Sequence, residues 1–260
     1  MPTALITGGN SGIGLQFARS LAADGYDLVL VARNRERLEF VADELTKQYG
    51  VLVTSLPADL ATPTACRRVE KRLADAHRPV DLLVNNAGFG LYGGSFAQHD
   101  VDAEDGLLKV NVRAVMRLTH AALGPMLERG NGDIINVSSV ASFAPDPLAP
   151  TYAASKAWVT TFSQGLREQL VGTGVRLLVL TPGLVRTEFQ TRAGVDATAP
   201  DLLWLEAEQV VDTALKDLRA GRGTSTPGTS YRAMAIAMRL TPRSLYLPLS
   251  RSLQRRFTAD

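Results

Sequence analysis

The chain has 260 residues, of which 45% are hydrophobic and 21% are charged, and its formal net charge is +2. This length suits one globular domain with a sizeable core, and the near-neutral charge excludes a global electrostatic field for nucleic acid, for which no reading motif appears either. Cys66, the one cysteine, cannot form an intramolecular disulfide, and His77, His99 and His120 lack metal-ligand spacing, so we expect no metal.

Nothing in the sequence predicts a targeting or membrane-spanning segment. The first residues, MPTALITGGN, pass directly into an apolar run and a glycine-rich turn, without the basic and long apolar regions of a signal peptide. No stretch approaches the length of uninterrupted apolar sequence that crosses a bilayer. Together with the single cysteine, this predicts a protein of the reducing cytoplasm.

Short apolar runs predict seven strands, at 3–7, 27–32, 51–56, 81–85, 133–138, 175–180 and from 223. Helical patterns lie between them, among others at 14–25, 35–50, 63–77 and 103–127. Strands that are apolar on both faces and alternate with helices predict a parallel sheet covered on both sides. We therefore expect a single Rossmann-like, doubly wound α/β domain, whose ligands bind at the carboxyl ends of the strands.

A glycine-rich turn, TGGNSGIG, follows the first strand and leads into a helix. Glycines let backbone N–H groups come close to a pyrophosphate, which the positive end of the helix also favours. Alone, such a string indicates only a turn, but between the first strand and the first helix it predicts a dinucleotide site. The residues predicted for that site are Gly8, Asn10, Ser11, Gly12, Ile13 and Gly14.

Two arginines, Arg33 and Arg37, follow the second strand, where the nicotinamide cofactors are distinguished. An acidic residue there hydrogen-bonds a ribose 2′-hydroxyl, whereas an arginine can bind a 2′-phosphate with two parallel hydrogen bonds. The sequence therefore predicts NADPH or NADP+ rather than NADH or NAD+, although Asn10 adds no second positive charge. The alternative is that Arg33, Arg35 and Arg37 are only the solvated start of a helix.

The turns after the third and fourth strands are also predicted to contact the cofactor. The carboxylate of Asp59 can accept a hydrogen bond from an adenine amino group; alternatively it caps the next helix, a role for which Thr62 competes. The sequence NNAG lets backbone lie flat against a cofactor, or forms an ordinary Asn/Gly turn. The residues predicted here are Asp59, Leu60, Asn86, Ala87 and Gly88.

The stretch TYAASKAW holds a tyrosine and a lysine at positions 152 and 156. On a helix these positions share one face, so Tyr152 and Lys156 predict a proton-transfer pair. The alternative is a surface pair in which the lysine extends along the helix to water.

The motifs TGGNSGIG, NNAG, NVSS, YAASK and PGLVRT resemble, in order and spacing, those of the single-domain short-chain dehydrogenase/reductases, over roughly residues 3–190. In the segments LVLVARNRERLE and NNAGFGLYGG, the sequence is similar to that of bacterial NADPH-dependent ketoacyl and hydroxysteroid reductases. The resemblance implies a catalytic set of Asn111, Ser139, Tyr152 and Lys156, with Ser138 as a neighbouring alternative to Ser139. It also implies cofactor contacts at Pro182, Gly183, Val185 and Thr187, although Thr187 can instead cap the following segment.

The implied reaction interconverts a ketone or aldehyde and its alcohol, with Tyr152 as the general acid and base. The resemblance implies that Ser139 orients the substrate oxygen and that Lys156 reaches the nicotinamide ribose. It also implies that Asn111 holds a water that links the lysine to solvent. We expect the positive charge of Lys156, together with the positive nicotinamide ring of the oxidised cofactor, to lower the pKa of Tyr152 below its ordinary value of about 10.

Two other functions are considered. A non-enzymatic NADP(H) sensor or scaffold of the same fold has no need of the proton donor, so the intact residues Ser139, Tyr152 and Lys156 argue against it. A nucleotide-sugar epimerase or dehydratase uses a similar sheet, but it needs a longer chain and a different glycine spacing.

Apolar residues after the fourth, fifth and sixth strands predict a pocket for a hydrophobic carbonyl compound or alcohol, or else serve as lid and core. They are Phe89, Tyr92, Phe143, Leu184, Phe189 and Trp204.

The sequence predicts a catalytic domain of residues 1–230. Residues 231–260 follow it as a basic amphipathic tail with six arginines. Such a tail can contact an anionic membrane surface. We expect it instead to pack on the domain or on a neighbouring subunit, with Pro242 and Pro248 dividing it into short helices. The resemblance implies a homodimer or homotetramer that packs through the long helices containing Asn111 and Tyr152.

Overall fold

The computed structural model describes residues 1–93, 95–193 and 200–241. In these ranges one parallel sheet contains the strands β1 (Thr3–Thr7), β2 (Asp27–Ala32), β3 (Val53–Pro57), β4 (Leu82–Asn85), β5 (Gly132–Val137), β6 (Val175–Leu180) and β7 (Thr224–Ser225). Their spatial order is β3-β2-β1-β4-β5-β6-β7. The chain runs from β1 to one edge, returns to the centre at β4 and continues to the other edge, which confirms the predicted doubly wound fold.

Helices cover both faces of this sheet. The described ones are α1 (Gly12–Ala23), α2 (Arg35–Tyr49), α3 (Pro63–Leu73), α4 (Val101–Leu108), α5 (Val115–Arg129), α6 (Pro150–Gln169), α7 (Glu188–Ala193), α8 (Ala207–Arg219) and α9 (Thr229–Leu240). A π-helical segment, Lys109–Ala114, joins α4 and α5. Among the described residues, no helix combines the length and hydrophobicity that crossing a membrane requires.

The hydrophobic core lies in two layers, one on each face of the sheet. On one face Phe17, Leu38 and Val210 bring α1, α2 and α8 onto the strands. On the other face Val69 of α3 and Leu118 of α5 are fully buried. The turns that follow the carboxyl ends of the strands lie beyond these two layers and line a cleft.

Local hydrogen bonds explain where predicted and observed boundaries differ. Strand β3 begins at Val53 rather than at residue 51, because the Asp27 carboxylate accepts the Leu52 N–H at 2.9 Å, just before the regular pairing of the strand. Helix α3 ends at Leu73 rather than at residue 77, where the Asp75 carboxylate accepts the His77 N–H and forms a turn.

The competition between two candidate caps for α3 is also resolved. The Thr62 hydroxyl accepts the Ala65 N–H at 3.4 Å and starts the helix, with a proline at the next position. Asp59 instead accepts the Ala61 N–H at 3.0 Å in the preceding turn. Asp59 is therefore not the helix cap.

Helix α9 runs across the predicted domain division at residue 230. Its residues Tyr231 and Ala235 are buried against the body of the protein, so the first part of the predicted tail packs on the domain. The positions of Pro242 and Pro248 lie outside the described residues, as does the rest of the tail. The division into residues 1–230 and 231–260 stays a prediction.

Candidate active site

A cleft of about 760 Å³ opens where the strand order reverses, between the carboxyl ends of β1 and β4. The turns after the first six strands all contribute to its wall. Of the residues predicted to bind the cofactor, those in the wall are Gly8, Asn10, Ser11, Gly12, Ile13, Arg33, Arg37, Asp59, Leu60, Asn86, Ala87, Gly88, Tyr152, Lys156, Pro182, Gly183, Val185 and Thr187. Gly14 is not in the wall; it is buried beneath the turn.

The glycine turn presents backbone rather than side chains to the cleft. Ser11 starts α1 without a side-chain hydrogen bond to the helix, so the first N–H groups of α1 are not capped by it. Gly12 has a φ of +53°, which favours glycine. A Cβ on Gly14 would lie 2.2 Å from the carbonyl oxygen of Gly8, so a side chain there would push the turn apart. Uncapped donors at a helix N-terminus fit the pyrophosphate of a dinucleotide.

The two predicted arginines differ in their surroundings. Arg33 is exposed in the cleft wall and makes no ion pair with the residues that the structure describes. Arg37 donates to both carboxylate oxygens of Glu188, at 2.9 Å for one of them, and this bond raises the pKa of Arg37. Arg33 is therefore available for a phosphate, whereas Arg37 is engaged by a residue 151 positions away that the sequence did not suggest.

The NNAG turn is tied to the end of β1. The side-chain amide of Asn86 donates to the carbonyl oxygen of Thr7 at 2.9 Å. The Thr7 hydroxyl accepts the N–H groups of Asn86 and Ala87, each at 3.0 Å. The turn thus fixes the relative positions of the two central strands as well as lining the cleft.

Asn111 lies in the π-helical segment and is fully buried. Its side chain accepts the Phe89 N–H at 3.1 Å and donates to the Phe89 carbonyl oxygen at 2.9 Å and to the Ser155 hydroxyl at 3.2 Å. A methyl group on Gly88 would lie 3.0 Å from the Asn111 amide oxygen and 3.3 Å from Lys156 Nζ. The Asn111 amide oxygen and the Lys156 amino group therefore lie on the same side of Gly88, where a Cβ would point.

The structure distinguishes the two serines that follow β5. The Ser138 hydroxyl is buried and bonds the carbonyl oxygen of Lys156 at 2.8 Å and the Thr160 hydroxyl at 2.7 Å, which ties β5 to α6. The Ser139 side chain lies in the cleft wall beside Tyr152, where its hydroxyl favours a lower pKa of the phenol. Ser139 is therefore the serine placed beside the phenol.

Burial shifts the pKa values of Tyr152 and Lys156 in opposite directions. Loss of solvation raises the pKa of Tyr152 to about 12, although the hydrogen bond from Ser139 lowers it in part. Burial lowers the pKa of Lys156 to about 8. In the protein alone, burial therefore outweighs the expected lowering of the tyrosine pKa, although Lys156 Nζ lies 5.8 Å from the centre of the phenol ring and donates to the Val137 carbonyl oxygen at 2.9 Å. The lowering with the oxidised cofactor bound stays a prediction.

An aromatic wall surrounds Tyr152. The rings of Tyr92 and Phe189 flank it, each with its centre 5.8 Å from the centre of the Tyr152 ring. Phe89 and Leu184 also line the cleft. The structure does not place the two remaining predicted pocket residues, Phe143 and Trp204, in the cleft wall; Trp204 instead lies under the guanidinium of Arg186 at 5.5 Å.

Sequence reasoning missed some wall residues. Asp146 lies in the loop before α6, and Met238 reaches the cleft from α9. The prolines on both sides of Asp146 in APDPLAP signal a rigid loop, but not that it faces the cleft. Met238 falls in the segment that the sequence presented as a separate tail.

Sequence comparison matches this chain to a dehydrogenase family and to a reductase. A family model described as short chain dehydrogenase matches residues 2–197. Sulfoacetaldehyde reductase 2 of Chromohalobacter salexigens is 39% identical over 80% of this chain and 84% of that protein.

Comparison with solved structures also gives matches to dehydrogenases. A short-chain dehydrogenase from Sphingobium yanoikuyae in complex with NADPH is 37% identical, with a TM-score of 0.83 over 91% of this chain and 92% of that one. The bulky-bulky ketone specific alcohol dehydrogenase from Comamonas testosteroni is 30% identical, with a TM-score of 0.78 over 99% of this chain and 94% of that one. The fold, the arrangement of the cleft and these matches show that the chain belongs to the short-chain dehydrogenase family of oxidoreductases.

Proposed function

We propose that the protein is an NADP(H)-dependent oxidoreductase that interconverts a hydrophobic ketone or aldehyde and its alcohol. One observation carries this proposal: Ser139, Tyr152 and Lys156 converge in the same cleft as an uncapped glycine turn and Arg33, an arginine that has no ion pair among the described residues. These five features are individually compatible with structural roles, but together they are difficult to explain without a dinucleotide and a carbonyl substrate.

The chain's own residues can hold each part of the cofactor. The N–H groups at the start of α1 would bind the pyrophosphate, and Arg33 would bind the 2′-phosphate. Lys156 would hold the nicotinamide ribose, and Thr187 with the backbone of Val185 would hold the carboxamide. The NADPH complex of the Sphingobium protein supports this cofactor. Bound NADPH supplies the hydride that reduces the carbonyl carbon.

Tyr152 would donate a proton to the carbonyl oxygen as negative charge develops there. Its pKa of about 12 keeps the phenol protonated at neutral pH, which suits a proton donor in the direction of reduction. The Ser139 hydroxyl, which lies beside the phenol, would donate its one hydrogen to the same substrate oxygen and fix its orientation.

Lys156 and Asn111 would return the proton to Tyr152. Lys156 lies on the next turn of α6, and its amino group shares the space beside Gly88 with the amide oxygen of Asn111. We propose that a water held by Asn111 links the lysine to solvent, and that this is why a buried asparagine is kept on the π-helical segment.

The substrate class follows from the wall around Tyr152. This end of the cleft is apolar and aromatic, because it is lined by Phe89, Tyr92, Leu184 and Phe189. The name of the Comamonas enzyme, which specifies bulky ketones, supports the same class. We therefore propose ketones with a large hydrophobic group on at least one side of the carbonyl.

The test begins with fluorescence titrations of the protein with NADPH and with NADH. We expect tight binding of NADPH, weak binding of NADH, and oxidation of NADPH in the presence of an aromatic ketone. Failure to bind either nucleotide would overturn the proposal. Binding of NADPH without oxidation by any ketone would favour a sensor of the same fold.

Substitution of the phenol separates chemistry from binding. The Tyr152→Phe variant keeps the ring between Tyr92 and Phe189 but removes the proton donor. We expect turnover to fall by a factor of about 100 or more, as for loss of a general acid, while the dissociation constant of NADPH stays nearly unchanged. Retention of full activity by this variant would contradict the mechanism.

The cytoplasmic location and the assembly into two or four subunits stay predictions. An open apolar groove on α6, lined by Trp158, Phe162 and Leu166, supports packing of this helix against a second copy. The stacked rings of Trp158 and Phe162, with centres 4.7 Å apart, present a flat surface for such a contact.

A further inference from the structure

An aspartate that the proposed reaction does not use lies in the cleft wall near Tyr152. Asp146 belongs to the loop between residue 143 and α6, and its carboxylate accepts the Leu148 N–H at 3.0 Å. Pro145 and Pro147 flank it and restrict the loop. Asp146 makes no ion pair with any residue that the structure describes, so its negative charge is not neutralised by a neighbouring side chain.

None of the described cations of the cleft forms an ion pair with Asp146. The cleft contains Arg33, Arg37 and Lys156. Arg33 lies at the end of β2, and Arg37 is bonded to Glu188. Lys156 is buried and donates to the carbonyl oxygen of Val137. Among the described residues, the wall around Tyr152 is therefore apolar apart from two charged groups. These are the buried Lys156 ammonium, 5.8 Å from the centre of the Tyr152 ring, and the Asp146 carboxylate, which no described cation pairs.

The Asp146 charge reaches the place where the substrate oxygen must lie. Burial is the main cause of the raised pKa values of Tyr152 and Tyr92, whose rings form the centre of the aromatic wall, and the negative charge of Asp146 raises both further. A charged substituent on a substrate in contact with these rings would feel the same field. Because apolar surroundings screen charges weakly, the effect there exceeds that of an exposed surface pair.

We infer that Asp146 is a specificity-determining residue that selects substrates by charge. The cleft accepts neutral and cationic carbonyl compounds and disfavours those that carry a carboxylate, sulfonate or phosphate close to the carbonyl group. This inference rests on the proposed function and narrows its substrate class. It also predicts that the protein does not share the substrate named for its Chromohalobacter relative, because sulfoacetaldehyde carries a sulfonate.

The test compares three ketones of similar size and shape: para-acetylbenzoate, para-methylacetophenone and para-(aminomethyl)acetophenone. In the wild-type protein with NADPH, we expect kcat/KM for the anion to be lower than that for the neutral ketone by about tenfold or more, which corresponds to about 1.4 kcal/mol. We expect the cation to be used at least as well as the neutral ketone. Equal use of the anionic and neutral ketones would overturn the inference.

The Asp146→Asn variant removes the charge while its amide oxygen can still accept the Leu148 N–H. We expect it to raise kcat/KM for the anion by about tenfold, to lower it for the cation and to leave the neutral ketone nearly unchanged. The matched control is Asp212→Asn, which removes an exposed carboxylate of α8 that is not in the cleft wall. An equal change for all three ketones in the Asp146 variant would show a structural role instead.

Calorimetric binding of the same ketones to the NADP+-saturated protein separates this inference from the proposed function. If no ketone is reduced, the proposed reaction fails, but the order of the three dissociation constants still tests the charge selection. A binding order that does not change between wild type and Asp146→Asn would overturn the inference whatever the turnover.

Discussion

At the scale of single residues, burial sets the proton affinities of the two central groups. Loss of solvation raises the pKa of Tyr152 to about 12 and lowers that of Lys156 to about 8. At neutral pH the tyrosine is therefore a neutral donor, and the lysine is still mostly charged. Holding a buried ammonium costs stability, and its function in the proposed reaction explains why a lysine rather than an apolar residue occupies this position.

The Lys156→Met variant should be more stable than the wild type at pH 7. Lowering the lysine pKa from 10.5 to about 8 disfavours the charged form by about 3 kcal/mol, and losing the bond to Val137 offsets about 1 kcal/mol of the gain. We expect a net increase of about 2 kcal/mol in the free energy of unfolding, measured with urea, together with loss of turnover.

The pH dependence of that difference has a defined sign. A pKa that is lower in the folded state than in the unfolded state makes the cost fully present below about pH 8, and the cost disappears as the pH rises toward 10.5. The gap between variant and wild type should close over this window. A gap that stays constant over this window would mean that folding does not lower the pKa of Lys156.

Arg33 should determine the choice between nicotinamide cofactors. We expect Arg33→Ala to raise the dissociation constant of NADPH by about tenfold to a hundredfold, because charge-assisted hydrogen bonds to a phosphate contribute about 1.5–3 kcal/mol. The constant for NADH should change little. Fluorescence titrations measure both.

The matched control is Arg35→Ala. Arg35 lies next to the site but is bonded to Glu39 at 3.3 Å and is absent from the cleft wall. Its loss should affect both cofactors equally and weakly. Equal losses of NADPH and NADH binding in the Arg33 variant would exclude recognition of the 2′-phosphate by this residue.

At the scale of secondary-structure elements, the loop after β4 is connected to α4 by a histidine. His99 Nδ1 lies 2.6 Å from a Glu104 carboxylate oxygen, and Nε2 lies 2.6 Å from the carbonyl oxygen of Gly93. Both partners are acceptors, so both ring nitrogens need a proton. The bond to Glu104 raises the pKa of His99 accordingly. This connection holds Gly93, the neighbour of Tyr92 in the aromatic wall.

The stability contributed by His99 should depend on pH. A pKa raised by folding makes the contribution fully present below the ordinary histidine pKa of about 6.5, and it is lost as the pH rises through the higher folded value. We expect His99→Gln to lower the urea midpoint more at pH 6 than at pH 8.5. His77→Gln, at an exposed histidine, is the control and should show no such difference. The same penalty at both pH values would contradict an imidazolium at position 99.

The elements that could be predicted from the sequence are those that local chemistry determines. The strand at 175–180 was located correctly because an apolar run has polar residues on both sides, and α2 because Asn34 and Gly50 cap it. The interruption between α4 and α5 was missed, since Lys109–Ala114 contains ordinary helical residues. The tertiary bonds of Asn111 accompany this π-helical turn, and such turns are frequent at functional sites.

The site could likewise be predicted from the sequence only where local motifs determine it. The glycine turn and the positions of Tyr152 and Lys156 follow from motif and spacing. The bond of Arg37 to Glu188, the position of Asp146 and the contribution of Met238 depend on contacts between residues that are distant in sequence. Burial reversed the expected direction of the tyrosine pKa, because solvation depends on the packed structure rather than on one neighbour.

At the scale of the whole molecule, α9 closes one side of the cleft. The Tyr231 ring packs on Gly183, where a Cβ would lie 2.1 Å from the ring. Its hydroxyl donates to the Leu203 carbonyl oxygen at 2.6 Å and accepts the Leu184 N–H at 3.0 Å. Since Leu184 lines the cleft, the C-terminal helix supports the segment after β6 that is proposed to bind substrate.

The Tyr231→Phe variant should weaken this support. It leaves two partly buried backbone groups without their partner, which costs about 1–3 kcal/mol in the free energy of unfolding. We expect KM for the ketone to rise more than the dissociation constant of NADPH. Steady-state kinetics and urea unfolding measure the two effects, and unchanged values of both would show that α9 does not support the cleft.

The strand order also affects how the chain is made. β1 is central, but its second neighbour, β4, comes only at residues 82–85, after β2 and β3. While the N-terminal part emerges from the ribosome, β1 can pair with β2 and still present one open, apolar edge. An open edge of this kind invites pairing with other chains. Pausing of synthesis before residue 85, or a nascent chain truncated there, should therefore favour aggregation, whereas completion of β4 closes the edge and brings together the two turns that form the cleft.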